Sequence, residues 1–103
     1  MTVVVTAVFT PATGSRDRLV EALRTAVPAV HDEPGCLLYA LHDAADGSIV
    51  MLEKWASERD LAAHAAGPAV ARLNTLIEGL TAQPVVVTTM APLPAGSEEQ
   101  GTL

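Results

Sequence analysis

β-branched residues dominate Thr2 to Thr10 and stop at Pro11, with Gly14 just beyond, a pattern that predicts a first strand running into a turn. From Ser15 to Val30 the periodicity changes. Leu19, Leu23, Val27 and Val30 follow one another at steps of four, four and three, while Arg16, Asp17, Glu21 and Arg24 take the intervening positions. That stripe predicts an amphipathic helix. Pro28 lacks the N–H that would bond the carbonyl of Arg24, so a kink or a fresh turn is expected there, and Pro34-Gly35 closes the element.

Cys36 to His42 and Ile49 to Trp55 return to strand character, with Asp46-Gly47 between them as a hairpin turn. Period two places Leu37, Tyr39 and Leu41 on one face of the second strand, and Ile49, Met51, Glu53 and Trp55 on one face of the third. Ser57-Glu58-Arg59-Asp60 has the form of a capping box, in which Ser57 accepts from the Asp60 backbone and the Asp60 carboxylate reaches back. A helix therefore starts near Glu58, and Leu61, His64 and Ala65 share its inward face. Gly67-Pro68 breaks it and begins another, whose stripe is Val70, Leu73, Ile77 and Leu80. After Gly79 and Pro84, Val85 to Thr89 reads as the last strand.

The resulting order is βαββαβ, the ferredoxin-like α+β arrangement of a four-stranded antiparallel sheet with helices on one side. Val3, Val5 and Phe9 have one parity and Val4 and Val8 the other, so both sheet faces are apolar and the second needs a cover. A like sheet from a second chain supplies it, giving a homodimer in which two sheets form one α/β barrel. The expected domain spans residues 1–92. Residues 93–103 lack apolar periodicity and are expected to be flexible or docked on the partner.

Composition narrows the function classes. With 103 residues there is room for one core, and 50% apolar against 17% charged residues is a folding composition. Twelve acidic against six basic side chains give a net charge of −6, with no basic run to track phosphates, which argues against nucleic acid as a partner. No apolar run is long enough to cross a membrane, and the N-terminus lacks the basic flank of a signal peptide. The single cysteine, Cys36, cannot form an internal disulfide, so a reducing, cytoplasmic location is expected.

Three aromatics and three histidines are the scarce chemical resources. Trp55, at the end of the third strand, and His64, on the inward helix face, can border a cavity between sheet and helices. Each also has a purely structural role open to it: Trp55 as core anchor, His64 as a buried residue bonded to backbone. Glu53 shares a face with Met51 and Trp55, where a carboxylate is either a base or half of a salt bridge. Tyr39 can donate its hydroxyl to a substrate oxygen or fill the core. Leu61, Met51 and Phe9 join Glu53 as candidate substrate contacts. Cys36 reads as a small hydrophobe, and His31 and His42 as surface residues. There is no GxGxxG, Walker sequence, GxSxG or HExxH, and no Cys/His spacing suited to zinc, so neither a cofactor nor a metal is expected.

The run Glu33-Pro34-Gly35-Cys36-Leu37-x-Tyr39, then Glu53-x-Trp55-x-Ser57-x-x-x-Leu61-x-x-His64, then Pro84 and a valine-rich strand, resembles the antibiotic biosynthesis monooxygenase domain over residues 2 to 92. The resemblance implies a dimeric barrel with one pocket per subunit and a cofactor-independent oxidation, by O2, of a quinol, anthrone or related phenolic aromatic. It assigns His64 as proton acceptor or anion partner, Trp55 as stacking wall and Tyr39 as hydrogen-bond donor. Two other outcomes remain open: a non-catalytic dimer that binds a small apolar ligand, and a haem-binding relative. Haem-degrading members carry an asparagine in the first strand where this chain has Thr6 and Ala7, and the second histidine of many relatives is missing from Ala65-Ala66-Gly67-Pro68-Ala69.

Overall fold

The computed structural model describes residues 1–103. Strand β1 (Val3–Phe9) leads into helix α1 (Arg16–His31), the hairpin β2 (Cys36–Asp43) and β3 (Ile49–Trp55), helices α2 (Glu58–Ala65) and α3 (Pro68–Leu76), strand β4 (Val86–Met90) and a short terminal turn of helix, α4 (Glu98–Gly101). The strands lie in the order β2-β3-β1-β4, all pairs antiparallel, as the ferredoxin-like order requires.

The register decides which side chains share the core. Val5 lies opposite Glu53 and Thr89, and Ala7 opposite Met51 and Val87, so the odd-numbered positions of β1, β3 and β4 share one face. The helices cover that face. Leu19, Leu23, Ala26 and Val30 of α1 and Leu73 of α3 pack with Val3, Val5, Ala7, Phe9, Ile49, Met51 and Trp55 into a single cluster. The expected stripe of α1 holds at Leu19, Leu23 and Val30, with Ala26 buried in place of Val27. Pro28 falls in the last turn, where its missing N–H costs one bond, and the helix continues to His31 without a break.

The face of β2 departs from simple alternation. A β-bulge between Cys36 and Leu38 sets Cys36 opposite Trp55 and Leu38 opposite Lys54, leaving Leu37 as the extra residue, 54% exposed. Leu37 therefore does not share the buried face with Tyr39 and Leu41; the inserted residue resets the parity. The last strand begins at Val86, one residue later than its sequence pattern predicts.

Local chemistry sets the helix starts. Ser57 Oγ accepts from the Asp60 N–H at 3.1 Å and donates to the Asp60 carboxylate at 3.0 Å, a hydroxyl–carboxylate variant of the expected box. Pro68 occupies the first turn of α3 behind an extended Gly67. Gly35, at φ +76°, turns the chain into β2 so closely against Asp60 that a Cβ there would overlap the Asp60 side chain.

The other sheet face carries no helix. Val4, Val8, Leu38, Val50 and Leu52 lie there with Val86 and Met90, the latter two 52% and 38% exposed. Beyond β4, Leu93 is almost wholly exposed.

Replacing Gly35 and Gly47 by alanine separates backbone strain from crowding. Gly47 also has positive φ but open space around it, so Gly47→Ala is expected to cost about 1 kcal/mol. Gly35→Ala must also displace the Asp60 carboxylate, which accepts from the capping Ser57 hydroxyl, and is expected to cost roughly 2–4 kcal/mol. Urea unfolding midpoints at unchanged slope measure both; equal losses would show that the Gly35–Asp60 approach carries no energy.

Candidate functional site

Four elements deliver the polar groups of the core to one place. On β3, alternation turns Glu53 inward between Met51 and Trp55, and the register sets Tyr39 of β2 directly opposite it. Helix α2 brings His64 down onto the sheet, and the turn after α1 brings Glu33 to the far side of the imidazole. His64, Glu53, Tyr39 and Trp55 are all buried.

The polar atoms are connected. His64 Nδ1 lies 2.6 Å from Glu33 Oε1, a short contact typical of a bond with an ionised partner. Trp55 Nε1–H donates to Glu53 Oε1 at 3.0 Å, and the same oxygen stands 4.0 Å from His64 Nε2. The His64 ring lies over the Trp55 indole at a centroid distance of 4.4 Å and a tilt of 32°, while Tyr39 meets His64 edge-on at 5.5 Å and Trp55 at 6.5 Å. The imidazole is thus held on its Nδ1 edge by a carboxylate and on one face by an indole.

Burial shapes the acidities. Glu53 is pushed above the usual carboxylate range by desolvation, against which the Trp55 N–H bond and the His64 charge act. The Tyr39 phenol is pushed well above its ordinary range, first by burial and then by the carboxylates of Glu53 and Glu33, so it remains a donor at any physiological pH. Burial also raises the Cys36 thiol, with Glu33 and Glu53 adding to it. Cys36 stays protonated and packs at the core margin.

A cavity of about 260 Å³ opens beside this group, between the sheet and helices α2 and α3. Its polar wall is Tyr39, Glu53 and His64, with Asn74 of α3 at the rim. Val5, Ala7 and Phe9 form the floor, and Leu61, Val70 and Leu73 the roof. Val85 and Val87 close the β4 side. A mostly apolar enclosure with a few convergent polar groups suits a small, largely apolar ligand. The roomier surface groove between α1 and the hairpin is lined by Arg16, Asp17, Glu21, Arg24 and Asp43, and its Arg16–Asp43 pair is already closed at 2.7 Å. No three His, Cys, Asp or Glu side chains are grouped so as to hold a metal ion.

Of the residues singled out in the sequence, His64, Tyr39, Glu53, Leu61 and Phe9 meet on the cavity wall. Trp55 and Met51 do not reach it: both are fully buried, Trp55 behind the His64 ring and Met51 one pleat from Glu53. His31 is less detached than its sequence position suggests, its Nε2 lying 3.0 Å from the Tyr39 carbonyl oxygen. Glu33 and Asn74 were not singled out as site residues. A carboxylate immediately before Pro34-Gly35 is a fixed, sharply turned position and hence a usable signal for Glu33, but its partner lies 31 residues away. Asn74 is a lone polar residue next to Leu73 on the stripe of α3, a signal no stronger than that of any exposed asparagine.

The family model for antibiotic biosynthesis monooxygenases matches residues 2–76. The protein named "Putative monooxygenase Rv0793" from Mycobacterium tuberculosis is 32% identical over 96 residues, covering 92% of this chain and 95% of that protein. Its solved structure superposes with a TM-score of 0.85, covering 94% of this chain and all of that one. A second structure, PA3566 from Pseudomonas aeruginosa, is 28% identical with a TM-score of 0.79, covering 89% of this chain and 94% of its own. A Nitrosomonas europaea structure at 21% identity, covering 92% and 94% of the two chains with a TM-score of 0.83, shares the fold.

The raised pKa of Glu53 has a sign that can be measured. Because the folded protein holds that proton more tightly than the unfolded chain, the associated stability is present below the ordinary value near 4.5 and is lost as pH rises through the folded value. Ionised Glu53 therefore costs stability at neutral pH. Glu53→Gln keeps an acceptor for Trp55 and removes the charge, so its melting temperature relative to the parent is expected to climb between about pH 4.5 and 7. A difference that stays flat or falls over that window would mean that burial of Glu53 carries no net cost.

Proposed function

Because the chain belongs to the antibiotic biosynthesis monooxygenase family, we propose that it is a cofactor-independent monooxygenase that oxidises an electron-rich phenolic ring, a hydroquinone or an anthrone, with O2. The observation that carries this reading is a buried histidine, bonded to a carboxylate through one ring nitrogen, on the wall of a mostly apolar cavity that also presents a phenol.

Such a substrate supplies its own electrons. His64 takes the acidic proton, and the developing oxyanion receives the Tyr39 hydroxyl, which stays protonated. The anion passes one electron to O2; the radical pair collapses to a peroxide, which loses water. Overall the substrate gives up two hydrogens and gains one oxygen atom, and the other oxygen leaves with those hydrogens as water. O2 takes all four electrons.

The remaining residues position and desolvate. Phe9, Leu61, Val70 and Leu73 hold a flat ring and exclude water, so that the charge on the anion is met at close range by His64 and Tyr39. Trp55 backs the imidazole and fixes its plane, and Met51 fills the volume under the sheet. Glu53, held by Trp55, faces the imidazolium once His64 has been protonated. In this reading the protein is cytoplasmic and residues 1–92 form its catalytic domain.

The uncovered apolar sheet face supports a homodimer built sheet to sheet, with residues 93–103 and their exposed Leu93 and Leu103 docked on the second chain. Leu52, on the central strand of that face opposite Thr6 and Ala40, is the position at which to break it. Leu52→Glu is expected to turn a dimer into a monomer in analytical ultracentrifugation; a variant that sediments as the parent does would exclude this face as the interface.

Oxygen uptake by metal-stripped protein with a panel of hydroquinones and anthrones tests the reaction. Saturable uptake above autoxidation is expected, with His64→Ala lowering kcat about 10² to 10⁴-fold while the ligand still binds. Binding without uptake from a folded parent would replace the oxygenase reading with that of an apolar-ligand binder. A Soret band formed with haemin and lost in His64→Ala would favour the haem-binding alternative.

A further inference from the structure

We infer that Glu33 is a positioning residue that fixes the proton of the neutral His64 ring on Nδ1, leaving the Nε2 lone pair as the site's proton acceptor. The inference rests on the proposed function only for what that lone pair does, since the tautomer itself is a property of the unliganded protein.

His64 lies between two carboxylates, and the neutral ring has one proton to give. Glu33 Oε1 is within hydrogen-bonding distance of Nδ1 at 2.6 Å; Glu53 Oε1 is 4.0 Å from Nε2, too far for a bond, and already accepts the Trp55 N–H. The competition therefore goes to Glu33. Were the proton on Nε2 instead, two lone pairs would confront each other at 2.6 Å across the Nδ1 contact, while no acceptor would be within reach of the Nε2–H. Glu53 is on the cavity wall and Glu33 is not, so Nε2 is the nitrogen on the substrate side.

The backbone holds Glu33 in place for this task. Its N–H bonds the Val30 carbonyl at 3.0 Å, and its own carbonyl accepts from Cys36 N–H at 3.3 Å. The next turn residue, Gly35, is tied by its carbonyl to Ala56 N–H at 2.9 Å, just past the end of β3. The second carboxylate oxygen is crowded least when residue 67 lacks a side chain: a Cβ on Gly67 would stand 3.0 Å from the Ala63 carbonyl oxygen, 3.2 Å from Glu33 Oε2 and 3.3 Å from the His64 carbonyl oxygen. Gly67 has an extended backbone that any residue adopts, so its φ and ψ do not call for glycine. The space between the Ala63 and His64 carbonyls and the Glu33 carboxylate does.

Imidazole ¹⁵N shifts, correlated to the ring protons of the neutral His64, read the tautomer without any substrate. In the parent, Nδ1 is expected to be the protonated nitrogen and Nε2 the bare one. Glu33→Gln, whose amide can donate to Nδ1, is expected to move at least about half of the population to Nε2–H, where the Glu53 carboxylate becomes the only negative partner. Gly67→Ala, which leaves both side chains of the pair in place, should shift the population in the same direction by crowding Oε2, and serves as the second variant if Glu33→Gln folds poorly. A parent ring protonated on Nε2, or a Glu33→Gln ring unchanged from the parent, would overturn the inference. Where oxygen uptake is observed, Glu33→Gln is expected to lower kcat about 10² to 10³-fold with KM within about threefold, the split of a group that orients the base and does not touch the substrate.

Discussion

Placing a carboxylate in the middle of an apolar sheet face is the constraint around which the rest of this structure is organised. Left alone, Glu53 would be an unpaired buried charge, which proteins tolerate only with compensating donors. Three features answer it. Trp55, two residues along the same strand, turns its N–H back to the carboxylate; His64 brings a group that can become positive; and desolvation shifts the acid toward its neutral form. His64 in turn needs a partner for its other nitrogen, and Glu33 provides it from outside the sheet. A polar chain of four residues thus runs through the core from the α1–β2 turn to the end of β3, and the cavity opens where its partners end.

The elements were legible because each has a local cause. Strand β3 was found to the residue, since its alternation and the Asp46-Gly47 turn are both short-range signals, and α2 was marked by Ser57 and Asp60. The parity of β2 failed at Leu37 because a bulge adds a residue without changing composition; Val-, Leu- and Tyr-rich strands look alike with or without one. The site was legible in part for the same reason. Inward positions of β3 and α2 follow from period, and they include Glu53 and His64. Glu33 escaped because what gives it a role is a contact across the sheet edge, and no periodicity encodes the distance between a turn and a helix 31 residues later. That Trp55 lies behind the imidazole and not on the cavity wall is likewise a matter of packing depth.

Membership of the family accounts for the frame, and the frame leaves the chemistry to few atoms. The floor and roof of the cavity are aliphatic or aromatic surface that any flat ligand could use, so the assignment of an oxidation depends on the imidazole, the phenol and the low polarity around them. The same economy holds at the surface. The protein carries a net charge of −6 and, apart from it, a sheet face that no helix covers.

The break at Gly67-Pro68 divides the helical layer into two short segments with different duties. Leu61, His64 and Ala65 come from the first, Val70, Leu73 and Asn74 from the second. The imidazole and its two carboxylates are thereby anchored to α2, the turn before β2 and strand β3, whereas α3 and the β4 side add only apolar wall and Asn74 to the cavity. Under the proposed function these two sets of positions can change independently: substitutions in the later segment would alter which molecule fits without disturbing how its proton is handled, so that one mechanism could be refitted to many substrates.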